Sequence, residues 1–318
     1  MTKIRRRSMH WLIVPLALIA ATPLSANMAI VLSFTSNFNT NFGVNAAAAQ
    51  AAVNFAAQQF DNLYSDPIHV NITVDAVLGT GTLGMSSTPI GSLPYSSLRA
   101  AAIADAKSTD DKTSVGPGGS IVATDPTGGA GTWWVTQAQA KALNLIPDSG
   151  ANDGTITFGT GFTYTFNPNN RAVSGAIDFI GVVEHEMSEV MGRIGISGAT
   201  IPGTSGPSYT LLDDLAYTGS GTKGLGFVAN DFLSFDNGTT LLKQFNQVAG
   251  GDSRDWQSGS NDAFNAFSAA SVKNDISAVD IREMDVLGYD LAVPEPASLI
   301  LFGAGLALIV ASRFRRRA

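Results

Sequence analysis

Residues 177–194 read I-D-F-I-G-V-V-E-H-E-M-S-E-V-M-G-R-I, and they hold Glu184, Glu186 and Glu189, three of the five glutamates in the 318-residue chain. On a helix of 3.6 residues per turn, Phe179, Ile180, Val183, Met187, Val190 and Met191 fall on one apolar arc roughly 120° wide. The stretch therefore predicts a helix with that arc against a core. His185 and Glu189 lie one turn apart on the opposite side, and Glu186 sits about 100° round from His185 on the same polar side. A ligating imidazole and two carboxylates converge.

The spacing H-E-x-x-E is that of the zincin helix H-E-x-x-H with a carboxylate at the second ligand position. Zinc accepts carboxylate oxygen at about 2.0–2.2 Å, so the exchange is chemically admissible. In that reading His185 and Glu189 hold the metal and Glu186 is the general base that activates water. The bland alternative is a surface helix on which Glu189 pairs with Arg193 at i+4, a contact that stabilises by roughly 0.2–0.5 kcal/mol.

The two ends read as addresses. The cationic M-T-K-I-R-R-R-S-M-H, the apolar W-L-I-V-P-L-A-L-I-A-A and the small residues up to Ala26 have the order of a secretory signal peptide, residues 1–26. At the other end, residues 294–318 join Pro294-Glu295-Pro296 to an apolar run and to Arg313, Arg315, Arg316 and Arg317. The run is long enough for a slightly short membrane helix, with the arginines kept on the cytoplasmic side. This tripartite segment resembles the PEP-CTERM sorting signal of bacteria with two membranes. The resemblance implies an exosortase-type processing enzyme as partner, transient anchoring in the inner membrane, and delivery to the cell surface or extracellular matrix.

Residues 27–293 are then one exported unit, expected as an N-terminal lobe to about 194 and a C-terminal lobe from about 195 to 293. Cysteine is absent, which excludes thiol chemistry and disulfide staples. Eight of the nineteen basic residues lie in the two addressed ends, so the net charge of −7 understates the acidity of the middle, and nucleic acid is not an expected partner.

Along the middle, the alanine-rich stretch from about Asn45 to Leu63 predicts a helix, and Ile68 to Val77 alternates as a half-buried strand with His69 on its polar face. His69 reads as a solvated histidine, with lining of the cleft as the lesser option. A Gly/Ser/Thr-rich loop leads to a helix over about Ser96–Lys107, and D-D-K-T-S-V-G-P-G-G-S reads as loop. A short helix follows in T-Q-A-Q-A-K-A-L-N-L. G-T-I-T-F-G and F-T-Y-T-F-N are expected to form a hairpin turning at Gly159-Thr160-Gly161. Downstream come strands in Y-T-L-L-D-D-L-A-Y, a hairpin at Asn237-Gly238, a polar loop G-G-D-S-R-D-W, and a last helix from Ser277 to Leu287 opened by a capping box with Asp280.

Taken together, V-V-E-H-E-M-S-E-V-M-G-R, L-L-D-D-L-A-Y, S-F-D-N-G-T-T-L-L-K-Q-F-N and D-I-R-E-M-D-V-L-G-Y-D-L resemble a bacterial family of exported, PEP-CTERM-sorted zinc metalloproteases, in the branch with H-E-x-x-E. The resemblance implies an α+β, zincin-like fold, a twisted mixed sheet over the active-site helix with a smaller C-terminal lobe. It implies hydrolysis of protein or peptide substrates with a Zn²⁺ cofactor. The longer metzincin motif fails here, because Gly195 stands at its third-ligand position. Asp213 is the first choice for the missing ligand and Asp214 its substitute. With such an oxygen-rich set, Mn²⁺ and Fe²⁺ become competitive. Asp236, Asp252 and Asp255 are open to Ca²⁺ but read better as solvated loop residues. Tyr209 and Tyr217 are options for stabilising an oxyanion, with packing the simpler role. The competing class is a non-catalytic surface or matrix protein on the same scaffold.

The reading of the two ends makes one prediction. Protein recovered from the cell surface should lack residues 1–26 and the C-terminal arginines, and an intact-mass spectrum with both retained overturns it.

Overall fold

The computed structural model describes residues 27–292 apart from residue 260. The expected signal peptide and the C-terminal apolar segment lie outside the described residues. The fold is mixed α and β, with several small sheets. Met28-Ala-Ile-Val-Leu-Ser-Phe, not assigned from sequence, forms β1 (Ala29–Phe34), followed by α1 (Ser36–Phe42) and α2 (Ala46–Leu63). The alternating stretch forms β2 (His69–Val77), with Val70, Ile72, Val74 and Ala76 buried. The Gly/Ser/Thr-rich segment expected as loop contains β3 (Gly84–Ser87) and β4 (Ile90–Leu93).

Helix α3 (Tyr95–Asp105) is close to expectation. The following D-D-K-T-S-V is a helix, α4 (Thr109–Val115), and not the expected loop. Its signal was a capping box: Ser108 Oγ accepts from the Asp111 amide at 3.0 Å, and the Asp111 carboxylate accepts from the Ser108 amide at 3.0 Å. Next come β5 (Thr132–Thr136), α5 (Gln137–Ala142), β6 (Gly154–Gly159), β7 (Tyr164–Thr165) and β8 (Ile177–Asp178). The expected hairpin at Gly159-Thr160-Gly161 does not form. β6 pairs in parallel with β2 and antiparallel with β3, whereas β7 pairs in parallel with β8. Tyr164 explains the departure. Its ring packs on Phe179 and Phe166, and its hydroxyl donates to the Gly159 carbonyl at 2.8 Å, so the chain leaves the sheet to complete an aromatic cluster.

The central helix is α6 (Phe179–Val190), shorter than the 177–194 span expected because its first two residues are β8. It packs beneath the sheet of order β1-β2-β6-β3, against α2, β3 and β6. The predicted arc holds: Phe179, Ile180, Val183, Met187, Val190 and Met191 are all fully buried. Phe179 meets the Phe42, Phe158, Tyr164 and Phe166 rings at 4.9–5.5 Å. Burying one such ring contributes about 1.5–3 kcal/mol. The helix ends where Gly192 takes φ 113°, a backbone that residues with a Cβ rarely adopt.

Beyond it lie β9 (Ser208–Thr210), α7 (Leu211–Asp214), β10 (Ala216–Gly219), β11 (Thr222–Lys223) and β12 (Phe232–Leu233). The turn at Asn237-Gly238 has φ of 56° and 77°, as that dipeptide favours, and Leu233 exchanges backbone hydrogen bonds with Leu242 and Lys243 across it. Among the described residues, 246–276 carry no named helix or strand. Helix α8 (Ala278–Val286) opens with the expected Ser277–Asp280 capping box. The described chain then closes on its own beginning. Tyr289 donates to the Met191 carbonyl at 2.6 Å, the Asp290 amide reaches Asp66 at 2.9 Å, Leu291 bridges Tyr64, and the Ala292 amide donates to Leu63.

An acidic group gathers where α3, α4 and α8 meet this closing segment. Burial, with Asp290 and Asp66 nearby, pushes Asp105 up to about 8. Burial likewise raises Asp66 and Asp285 to about 7. An acid near its ordinary value of 3.8 when unfolded, and near 8 when folded, keeps its proton only in the fold between those limits. Stability therefore falls as pH rises from about 4 to about 8. Thermal melts across that range should show a shallower fall for Asp105→Asn than for the parent. Equal slopes would show that Asp105 titrates as an ordinary surface acid.

Candidate metal centre

Every residue of α6 except His185 is buried, so the three glutamates face the interior and each needs a counter-charge or a proton. Glu184 finds one on the far side of the helix. Its carboxylate meets Arg171 at 3.0 Å, and the same guanidinium binds Asp178 at 2.9 Å and Asp275 at 3.0 Å. Glu184 therefore anchors the helix and stays out of the cleft.

On the cleft side, His185 Nε2 lies 3.3 Å from Glu189 Oε1 and 3.6 Å from Asp255 Oδ2. All three ligand atoms lie within 4.8 Å of one another. Two donors bound at about 2.1 Å in tetrahedral geometry stand about 3.4 Å apart, so the spacing suits a small divalent ion. The remaining polar atom of each residue is already held. His185 Nδ1 is 2.9 Å from the Ala263 carbonyl, to which it can only donate, leaving Nε2 turned toward the carboxylates. Ser86 donates to Glu189 Oε2 at 2.7 Å, and Arg193 Nη1 donates to Asp255 Oδ1 at 2.6 Å. Such outer partners fix the orientation of metal ligands. The donor set fits a metal.

Burial by itself would lower the His185 pKa, but Asp255 and Glu189 outweigh it and push it up to about 10. Burial also opposes ionisation of Glu189, yet His185, Arg193 and Ser86 hold it well below the usual carboxylate range. Glu186 goes the other way, raised by burial and by the neighbouring Glu189. The two carboxylates are thus pushed in opposite directions, Glu189 toward the ionised form and Glu186 toward higher pKa, a division seen where acid and base roles are separated.

Glu186 lies outside the triangle, against β3. A Cβ on Gly84 would collide with its carboxylate as placed, so glycine at that strand position leaves the space Glu186 fills. The cleft has a volume of about 480 Å³ and runs between Leu83 and the β3 residues Gly84–Ser86, Val182 and the loop carrying Gly250, Asp252 and Phe267.

Of the residues singled out from sequence, His185 and Glu189 come together, with Glu186 beside them. Asp213 does not join them. Its carboxylate accepts from the Ile196, Ser197 and Thr210 amides and is paired with Arg254 Nε at 2.8 Å, which leaves it no free face. Asp214 is likewise taken, by Lys223 at 2.6 Å and the Tyr95 hydroxyl at 2.9 Å. The third position in the triangle belongs to Asp255, which was read as a solvated loop residue and is 3 % exposed. Gly195, where the longer motif would need its ligand, is covered by the Arg254 side chain; a Cβ there would strike its Cγ. Asp252 lines the cleft outside the triangle, and Asp236 accepts from Thr240 in a turn. Tyr217 is core, its hydroxyl donating to Ser120, and Tyr209 packs on Trp133. His69 faces Asp148 at 2.7 Å, away from the cleft. Glu189 and Arg193 do approach to 3.7 Å, but inside the protein, so the surface-helix alternative is excluded by burial.

Residues 292–317 match the family model of the PEP-CTERM protein-sorting motif. The chain carries a PEP-CTERM sorting motif. That motif implies recognition by an exosortase-type processing enzyme and export. No helix among the described residues is long and apolar enough to cross a membrane. No curated protein and no solved structure matches the chain.

The division of labour between the two aspartates is measurable. Asp255→Asn should lose stoichiometric Zn²⁺ and, because it strips buried Arg193 of its close partner, lose stability as well. Asp213→Asn should keep the triangle but strip Arg254 of a buried partner, lowering stability by about 3–5 kcal/mol. Zinc content by elemental analysis and chemical denaturation of both variants check this; full metal content in Asp255→Asn rules out the triangle.

Proposed function

We propose that this chain is an exported metal-dependent peptidase of zincin-like build. The observation that carries the reading is the spacing of His185 Nε2, Glu189 Oε1 and Asp255 Oδ2 with Glu186 immediately outside them. A bound divalent ion would supply Lewis acidity toward a peptide carbonyl. His185, Glu189 and Asp255 would hold it, the first oriented by the Ala263 carbonyl and the second by Ser86. Glu186, buried and next to Glu189, is the group that would carry a proton between water and the leaving amine.

The sheet supports the same reading. β3 is the terminal strand of the order β1-β2-β6-β3 and runs antiparallel to β6, and its residues line the cleft. An extended peptide could add to that edge through backbone hydrogen bonds, which suits a protein or peptide substrate. The His/Glu/Asp set is harder than two histidines and a glutamate, so Mn²⁺ and Fe²⁺ compete with Zn²⁺. One observation favours the second reading, a non-catalytic surface or matrix protein on this scaffold: Arg193 Nη2 lies 3.3 Å from His185 Nε2 and already brings a positive charge to the triangle.

Glu186→Gln separates the two. It keeps the shape and removes the base, so metal content and melting temperature should stay near the parent while chelator-sensitive cleavage of an unfolded protein falls at least ~10²-fold. Glu189→Gln should instead lose the metal. A parent that binds metal and cleaves nothing across a broad peptide library supports the matrix-protein reading and removes the peptidase.

A further inference from the structure

We propose that Asp252, with Phe267 beside it and Met85 across the cleft, forms a subsite that takes the side chain of a lysine or arginine from a bound peptide. The inference rests on the cleft being a peptide-binding site, and it names the class of side chain selected there. One charged group in the cleft stands apart from the rest. Glu189 and Asp255 are paired with His185 and Arg193. Arg254 lines the same cleft but is neutralised by Asp213 and Asp231. Glu186 is buried against Gly84. Asp252 differs from all of these: it is exposed, it lines the cleft, and its carboxylate has no hydrogen bond or ion pair among the described residues. It is the carboxylate there still open to a charge brought from outside.

Two exposed apolar side chains complete the subsite. Met85 is 53 % exposed and lines the cleft from β3, and Phe267 is 42 % exposed and lines it from the opposite loop. Gly251 brings the ring next to the acid. A Cβ there would lie 2.9 Å from Phe267 Cζ, so the ring tip rests on the residue that precedes Asp252. The subsite thus offers apolar walls and one negative charge. A leucine uses only the walls, and a glutamate meets a like charge. Lysine and arginine use both, laying a methylene stem along the walls and bringing the head to the carboxylate, where a nearby aromatic ring also favours a cation. The net charge of −7 adds a long-range pull on cationic peptides.

The test uses the full chain carrying Glu186→Gln, purified in mild detergent, loaded with Zn²⁺ and held at pH 8, where an exposed aspartate is ionised. Fluorescein-labelled octapeptides of Ala and Ser carry one central Lys, Arg, norleucine or Glu, and fluorescence anisotropy reads binding. The Lys and Arg peptides should bind roughly 5-fold more tightly than the norleucine peptide, which matches the lysine stem without its charge. Adding Asp252→Asn should remove that preference and leave norleucine binding and zinc content unchanged, while Asp252→Lys should favour the Glu peptide. Phe267→Ala should weaken the Lys and norleucine peptides alike. A preference that survives Asp252→Asn, or zinc lost in that variant, overturns the proposal, as does a parent that binds none of the peptides. Cleavage by the Glu186 parent is read separately on the same peptides. Cleavage with no preference for Lys or Arg removes the subsite and keeps the peptidase, whereas Asp252-dependent binding without cleavage keeps the subsite and removes the peptidase.

Discussion

Three arginines that have lost their water hold this molecule in one arrangement. Arg171, Arg193 and Arg254 are buried, none can be neutralised by losing a proton, and each is compensated by carboxylates from distant parts of the chain. Arg171 ties the start of α6 to Asp275. Arg193 ties its end to Asp255. Arg254 joins the same loop to Asp213 and Asp231. Residues 246–276, which have almost no regular hydrogen-bonded structure, are positioned chiefly by these pairs and by packed aromatic rings such as Trp256 on Phe245. The third corner of the proposed metal triangle, Asp255, lies in that segment, so its geometry depends on ion pairing at least as much as on the helix that carries the motif.

The low charged content of the chain, 14 %, takes on a different meaning in this light. Surface solubility is left largely to Ser, Thr, Asn and Gly, while the scarce ionisable groups are used inside. All four glutamates among the described residues are buried: Glu184, Glu186, Glu189 and Glu283. One anchors, two face the cleft, and one lacks a partner. Among the described residues glutamate is used only in the interior, where desolvation makes every charge matter.

This also explains which parts were legible in the sequence. Periodic segments were readable because side-chain spacing reports a face directly: α2, β2, α6 and α8 lie close to their expected positions, and the Ser277–Asp280 capping box is in place. His185 and Glu189 were readable for the same reason, being one helical turn apart. Asp255 was not, since it lies 66 residues from Glu189 along a non-periodic loop and its role is set by Arg193. The fully buried Arg254 and Trp256 on either side were the available hint that this polar loop turns inward. L-L-D-D-L misled because two acids after apolar residues look like ligands, whereas Asp213 closes a capping box and both acids neutralise buried cations. β3 was hidden by composition: Gly84 and the serines are poor strand formers, and the strand exists through its pairing with β6.

The closing segment has a further consequence for the life history of the protein. The sorting motif begins at residue 292, whose amide donates to the Leu63 carbonyl at 2.8 Å. Everything up to it is latched onto α2 and the end of α6, and Tyr289 is fully buried. A processing enzyme that severs the chain downstream removes none of these contacts. Cleavage there would leave the contacts of Tyr289, Asp290 and Ala292 intact, so release from the sorting machinery need not disturb this latch.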